Sequence, residues 1–340
     1  MLAVLLAPTV FFTQSLGGVA DQILDQFRSH AIVGLSELHR SKEDHVFIEK
    51  LIQSPRFGEV VDDIVVECGN PLYQEIMDRY VAGFSVDRDI LQRAWRNTSQ
   101  WLVWDSPVYE QFFKTVRDSN FGRRKKVRVV LGDSPIDWSK VRTADQYKPF
   151  ATRDDFYFAT VDRLVKRRHK VLLVIGGMHL LKQDIRGNRV AKVPGAPNLP
   201  SLQTRYRDKL YVVWTITGPS TLMDFIRPTS YPALTSVADT GLGQGSSKLI
   251  LPQGIKFFGT VNGKASFYEP KESSMPLLKD VVDAFLVLPP HDSTVEARPA
   301  TYRDKKYVSE LRRRARILKA VFGFEFEPDL AELIDGSRRK

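Results

Sequence analysis

The sequence has a single cysteine, Cys68, so no intrachain disulfide can form and a Cys-rich zinc module is excluded. No run reaches the roughly 20 apolar residues that a bilayer-spanning helix needs. There is no Gly-x-Ser-x-Gly elbow, which removes the usual serine-hydrolase nucleophile. No repeat of solenoid period recurs. A Gly-x-Gly-x-Gly run exists at Gly241, Gly243 and Gly245, but the strand-then-helix context of a dinucleotide fingerprint is missing. Cys68 follows Glu67, and a neighbouring carboxylate raises a thiol pKa, which disfavours a nucleophilic role.

What is present reads as a globular chain. Hydrophobic residues make up 43% and charged residues 26%, values that exclude collagen-like, mucin-like and broadly disordered classes. The net charge of +10 favours acidic partners in general. Its clusters, such as Arg123 to Lys126, Lys166 to Lys170 and Arg312 to Arg314, are scattered and form no stripe with base-reading aromatics. They read as solvated surface, and no specific nucleic-acid partner is expected. Leu2 to Phe12 is apolar and then turns small and polar at Thr13-Gln14-Ser15. That pattern fits a secretory signal without a basic n-region, and its rival is a buried N-terminal strand or helix. The expectation is a signal segment over 1–18 and an exported or periplasmic protein.

Short, continuous apolar runs mark six strands: 31–35, 64–66, 127–131, 171–175, 210–214 and 284–288. Continuous rather than alternating character implies strands covered on both faces. Between them, 44–52, 106–116 and 154–165 carry amphipathic helical spacing. Strand–helix alternation predicts an α/β fold with a central, mainly parallel sheet flanked by helices, and a ligand cleft at the carboxyl ends of the strands. The α/β domain is placed at 19–300, with loop insertions at 184–201 and 228–247. A basic C-terminal helix, roughly Lys305 to Val321, and a tail fill 301–340.

Four strands deliver ionisable residues at their carboxyl ends. The first gives Glu37 and His39, two apart and on one face if the backbone stays extended. The second gives Glu67, the third Asp133 and the fourth His179. Two imidazoles and three carboxylates can do acid–base work on water or bind a divalent metal, for which His39, Glu67 and His179 are the candidate ligands. Each has a bland alternative: capping or a turn for Glu37 and Asp133, a buried pair for Glu67. His45 either points back to the cleft or packs. Arg93 and Arg96, around Trp95, could hold an anionic or carbonyl group or line a surface helix. Arg153 is the odd cation at a helix start that otherwise carries Asp154 and Asp155. His30, His169 and His291 have no supporting neighbours.

Gly34-Leu35-Ser36-Glu37-Leu38-His39, then His45, Val66-Glu67 and Gly176-Gly177-Met178-His179 resemble the erythromycin esterase/ChaN-like group, the heme-binding uptake and Tiki superfamily. The resemblance covers roughly 28–290. It implies an α/β fold with the cleft at the carboxyl edge of the sheet. Esterase-like members hydrolyse a lactone with a histidine base, a role that would fall on His39. Tiki-like members are metal-dependent proteases, and ChaN-like members bind heme. This chain departs by placing Ser36 before Glu37, and it has no lipobox cysteine near its start. The reading is a hydrolase of an ester, lactone or amide of a small-molecule or peptide substrate, with His39, Glu37, Glu67 and His179 catalytic and His45, Arg93, Arg96, Asp133 and Arg153 binding. A divalent metal or heme as cofactor, heme binding as the alternative function, and a catalytically silent fold member stay open, as does the oligomeric state.

Overall fold

The computed structural model describes residues 15–183, 185, 205–218, 220, 222–238, 240–251, 257–261, 264–269, 271–272, 275–290 and 293–339. The frame is a seven-stranded sheet in the order β3-β2-β4-β1-β5-β9-β6. Six strands are parallel: β1 (Ile32–Glu37), β2 (Asp63–Val66), β3 (Arg128–Leu131), β4 (Val171–Gly176), β5 (Leu210–Ile216) and β9 (Ala284–Val287). They coincide with the six apolar runs. β1 is buried along its whole length, as a strand with helices on both faces must be. β6 (Ala233–Ser236) closes one edge antiparallel to β9. β7 (Phe257–Val261) and β8 (Lys264–Tyr268) form a separate hairpin.

One face of the sheet packs against α1 (Leu16–Asp25), α2 (Lys42–Gln53), α3 (Gln74–Val81) and α4 (Pro107–Asn120). The other packs against α5 (Arg153–Lys166) through Tyr157, Phe158, Val161 and Leu164. Local chemistry sets where the helices start. Ser15, Ser41 and Ser106 cap α1, α2 and α4 by accepting backbone N–H bonds, and Pro107 occupies the first position of α4. On the outer edge of the sheet the Gln74 amide pairs with β3. Its Oε1 accepts from the Leu131 N–H at 2.8 Å and its Nε2 donates to the Val129 carbonyl at 2.8 Å.

The C-terminal region differs from the expected helix and tail. α6 (Lys305–Phe322) ends at Gly323, whose φ of +78° needs a residue without Cβ, and a second helix, α7 (Glu327–Arg339), follows. Leu330 and Ile334 of α7 pack with Tyr302, Val308 and Leu311, so the tail has an apolar stripe to bury. The stretch 228–247 is likewise more than a loop, since it supplies β6 and a turn at Gly241–Gln244. Most of 184–201 lies outside the described residues, as do 1–14 and His291. Of the expected signal segment, Leu16–Gly18 form the first turn of α1. No helix among the described residues is long and apolar enough to cross a membrane.

Candidate active site

β1 leaves the sheet at Glu37, and the chain turns through Arg40, whose φ of +65° reverses its course before Ser41 starts α2. The turn brings two histidines back to one carboxylate. His39 Nδ1 is hydrogen-bonded to Glu37 Oε2, and His45 Nε2 lies 2.9 Å from Glu37 Oε1. The Tyr109 hydroxyl, from α4, adds a 3.2 Å bond to the same Oε1. Burial pushes the Glu37 carboxyl up, but the bonds and charges of the two imidazoles outweigh it and hold its pKa at about 2. Burial lowers the pKa of His39, and Glu37 and then Glu67 more than reverse this, so His39 is more basic than usual. Nδ1–H donates to the carboxylate, which leaves Nε2 as the basic atom. The Trp104 ring meets His39 edge-on at 4.9 Å between centroids. His45 is buried, and its Nδ1 has no hydrogen-bond partner.

Glu67, beyond the end of β2, is the second centre. Its Oε1 accepts from Arg153 at 2.7 Å and its Oε2 from the Gly176 N–H at 2.7 Å. Burial pushes its carboxyl up, and the charges of His179, Arg153 and His39 bring it below the usual range. His179 Nε2 stands 3.8 Å from Glu67 Oε1, and its Nδ1 pairs with Asp154 at 2.6 Å. A methyl group placed on Gly176 would sit 3.2 Å from Glu67 Oε2, 3.3 Å from His39 Cε1 and 3.5 Å from His179 Cδ2. The three side chains therefore converge around one point, and a glycine keeps it open. The imidazoles of His39 and His179 are 33% and 22% exposed, whereas Glu37 and Glu67 are nearly inaccessible. The bases face the solvent side and the carboxylates stand behind them.

Other expected residues fall elsewhere or play other parts. Arg153 belongs to the centre, bound to Glu67 and 3.2 Å from the Tyr157 hydroxyl. Asp133 is wholly buried and bound by the Ser99 N–H at 2.7 Å and hydroxyl at 2.8 Å; burial raises its pKa to about 6. Both carboxylate oxygens are spent on fixing Ser99. Arg96 is not a cleft residue: it lies 3.5 Å from the buried Asp105, with its guanidinium 4.7 Å over the Tyr307 ring. Arg93 is exposed on the same helical turn. His30 bonds the Gln26 carbonyl at 3.0 Å, and His169 pairs with Asp63 at 2.5 Å, at the start of β2. Cys68 is buried, and burial with Glu37 and Glu67 pushes its thiol well up.

The proposed ligand set His39, Glu67 and His179 does not make a metal site. Among the described residues no group of three His, Cys, Asp or Glu side chains is placed to hold an ion. The third candidate ligand is already engaged: Glu67 is paired with Arg153 through Oε1 and accepts the Gly176 N–H through Oε2.

Next to His39 opens a cleft of about 590 Å³. Its walls are the turn at Arg40, the Trp101–Val103 segment, residues 296–302 and one side of α7.

No family model matches the chain, and no curated protein matches it in sequence. Among solved structures, it is similar to a Bacillus cereus protein at a TM-score of 0.51 and 10% identity, covering 85% of this chain and 96% of that one. It is also similar to a variant of the erythromycin esterase EreC in its open conformation (TM-score 0.48, 13% identity, 81% and 94% covered). ChaN of Campylobacter jejuni, solved with cofacial heme, follows at a TM-score of 0.37 and 16% identity, with 59% and 87% covered. At these identities the likeness is one of fold alone, an α/β fold with a mainly parallel sheet.

Proposed function

We propose that the protein is a hydrolase that cleaves an ester, lactone or amide bond with water activated by His39. One observation carries the reading: the Glu37 carboxylate grips both His39 and His45, so His39 is fixed, made more basic and left with Nε2 unbonded beside the cleft. In this reaction Nε2 takes a proton from water as the water oxygen adds to the carbonyl carbon. The imidazolium that forms is stabilised by Glu37 and returns its proton to the leaving group. His179, oriented by Asp154 through Nδ1, faces the same point, and in its doubly protonated form its Nε2–H donates to the developing oxyanion. Glu67 and Arg153, locked to each other, hold the Gly176 backbone and set the position of both imidazoles. No step calls on a metal ion.

The test is steady-state kinetics of His39→Ala on a panel of esters, lactones and amides, with melts on the same preparations. Loss of a general base lowers the rate ~10²–10⁴-fold. The melting temperature should fall only modestly, because the buried Glu37 keeps His45 and Tyr109 as partners. His30→Ala is the control and keeps full activity. A folded His39→Ala that turns over normally ends the hydrolase reading. Heme binding would use the same Nε2 as an axial ligand, and a Soret band on hemin titration that disappears in His39→Ala would put that function in its place.

A further inference from the structure

The turn that presents His39 is closed by the Ser41 N–H, which donates to the Leu38 carbonyl at 3.0 Å, and its third residue, Arg40, takes φ +65°. Glycine or asparagine suits that sign, whereas an arginine keeps it only where its surroundings impose it. Both backbone groups of Arg40 are gripped. Its carbonyl accepts the Val295 N–H at 2.9 Å, and its N–H donates to the Tyr109 hydroxyl at 3.2 Å. The same hydroxyl donates to Glu37 Oε1. One oxygen therefore joins the last residue of β1 to the far side of the turn, with His39 between them in the chain. Glu37 Oε1 takes both His45 and Tyr109, which leaves Oε2 to His39 alone. Tyr109 is built to keep this place. It lies in the first turn of α4, whose start is set by Ser106 and Pro107. The Thr115 hydroxyl, further along α4, donates to Glu49 of α2 at 3.1 Å and ties the two helices together. The Tyr109 side chain is buried, with His45 and Trp104 edge-on to its ring at 5.1 and 5.0 Å between centroids. Burial and the charge of Glu37 push its pKa well up, so the hydroxyl keeps the proton it donates. Tyr109 is not part of the cleft wall, so it can act on a bound substrate only through other residues.

We propose that Tyr109 is a positioning residue for His39: its hydroxyl clasps the Arg40 N–H and the Glu37 carboxylate together, and so fixes the direction in which Nε2 faces the cleft. The clasp stands on the geometry of the turn, and it rests on the hydrolase reading only for what Nε2 does once it is aimed. A group held by one carboxylate oxygen can still swing about that bond; a group whose carboxylate and whose following peptide are both tied to one buried oxygen cannot.

Tyr109→Phe in the full chain removes the oxygen and keeps the ring. On the panel of esters, lactones and amides it should lower kcat about tenfold and leave KM unchanged, because the aim of the base is spoiled and the cleft is not. Added to His39→Ala, the same change should cost no further rate, since a residue that acts through another then has nothing to act on. Amide exchange of protein carrying isotope-labelled arginine reads the clasp without turnover: the Arg40 N–H should be protected in the wild type and exchange about tenfold faster or more in Tyr109→Phe. Equal losses of rate from Tyr109→Phe in the wild type and in His39→Ala would mark a merely structural tyrosine and overturn the proposal. So would a folded Tyr109→Phe with wild-type kcat, or an Arg40 amide that exchanges in the wild type as it would in an open turn. The last measurement needs no variant, so a Tyr109→Phe chain that does not fold leaves the proposal exposed to refutation. A wild type that hydrolyses no member of the panel sinks the hydrolase reading alone, and the Arg40 amide then decides for or against the clasp.

Discussion

Asp44 stands directly before His45 in the chain, wholly buried, with Oδ2 accepting from the Leu38 N–H at 2.7 Å and Oδ1 without a partner. Burial raises its pKa from 3.8 to about 7, and the charge of His45 offsets only part of that. Between those two values the folded chain holds a proton that the unfolded chain has lost. This contribution is therefore fully present below the unfolded pKa and is lost as pH rises from about 4 to about 7. Asp44→Asn keeps a carbonyl acceptor for Leu38 and removes the ionisation. Its melting temperature should gain on the wild type progressively between about pH 4 and about pH 7 and level off above that, and a margin independent of pH would show that Asp44 does not titrate in this range. Individual residues differ in how well their sequence announced them. Glu37 and His39 were legible as ionisable neighbours at the end of the first strand, but a turn after Glu37, not extended chain, brings the imidazole onto the carboxylate. Glu67 and His179 were legible because parallel strands end together, and Arg153 because a cation is out of place at a helix start that also carries Asp154 and Asp155. Asp44 and Asp154 read only as acids suited to the first turn of a helix, and nothing in their spacing says that one is sealed behind the Glu37 pair or that the other turns towards His179. Arg96 failed for the converse reason: its partner Asp105 is buried under α6, a contact that local pattern cannot reveal.

Among the elements, β1 has one more device. Its backbone pairing with β5 ends at Leu35 opposite Val213, two residues short of Glu37. Side chains extend the ladder from there. Ser36 Oγ accepts from the Thr215 N–H at 2.6 Å, and Thr215 Oγ1 donates to the Ser36 carbonyl at 2.7 Å. Ser36 thus ties the site-bearing end of β1 to its neighbour. Ser36→Ala leaves the Thr215 N–H buried without an acceptor and should cost about 1–3 kcal/mol, read from denaturant unfolding. A loss well below that range would mean that water replaces the hydroxyl. The strands themselves were readable because each is apolar on both faces, a signal that survives without any partner in view. β6 was not, since an antiparallel edge strand of four residues set between Pro232 and a glycine-rich turn has the composition of a loop. α7 was not, because its one buried stripe is short and the rest of it is charged.

At the scale of the molecule, the two margins of the sheet are finished differently. β6 closes one by reversing direction against β9, and β3 ends the other with only four residues. A short, twisted edge still presents bare N–H and C=O groups, the template on which a second chain can add a strand. Here the Gln74 side chain takes the place of that strand: one amide occupies both the Leu131 donor and the Val129 acceptor. Colloidal behaviour then hangs on a single side chain that makes no contact with the His39 and Glu67 centres. Gln74→Ala should leave the activity of dilute protein intact while making its sedimentation concentration-dependent, as monomers meet edge to edge. Gln74→Glu, which keeps the acceptor but loses the donor, should sit between the two. Identical sedimentation of all three proteins over the same concentration range would show that the margin is protected by the shortness of β3 alone.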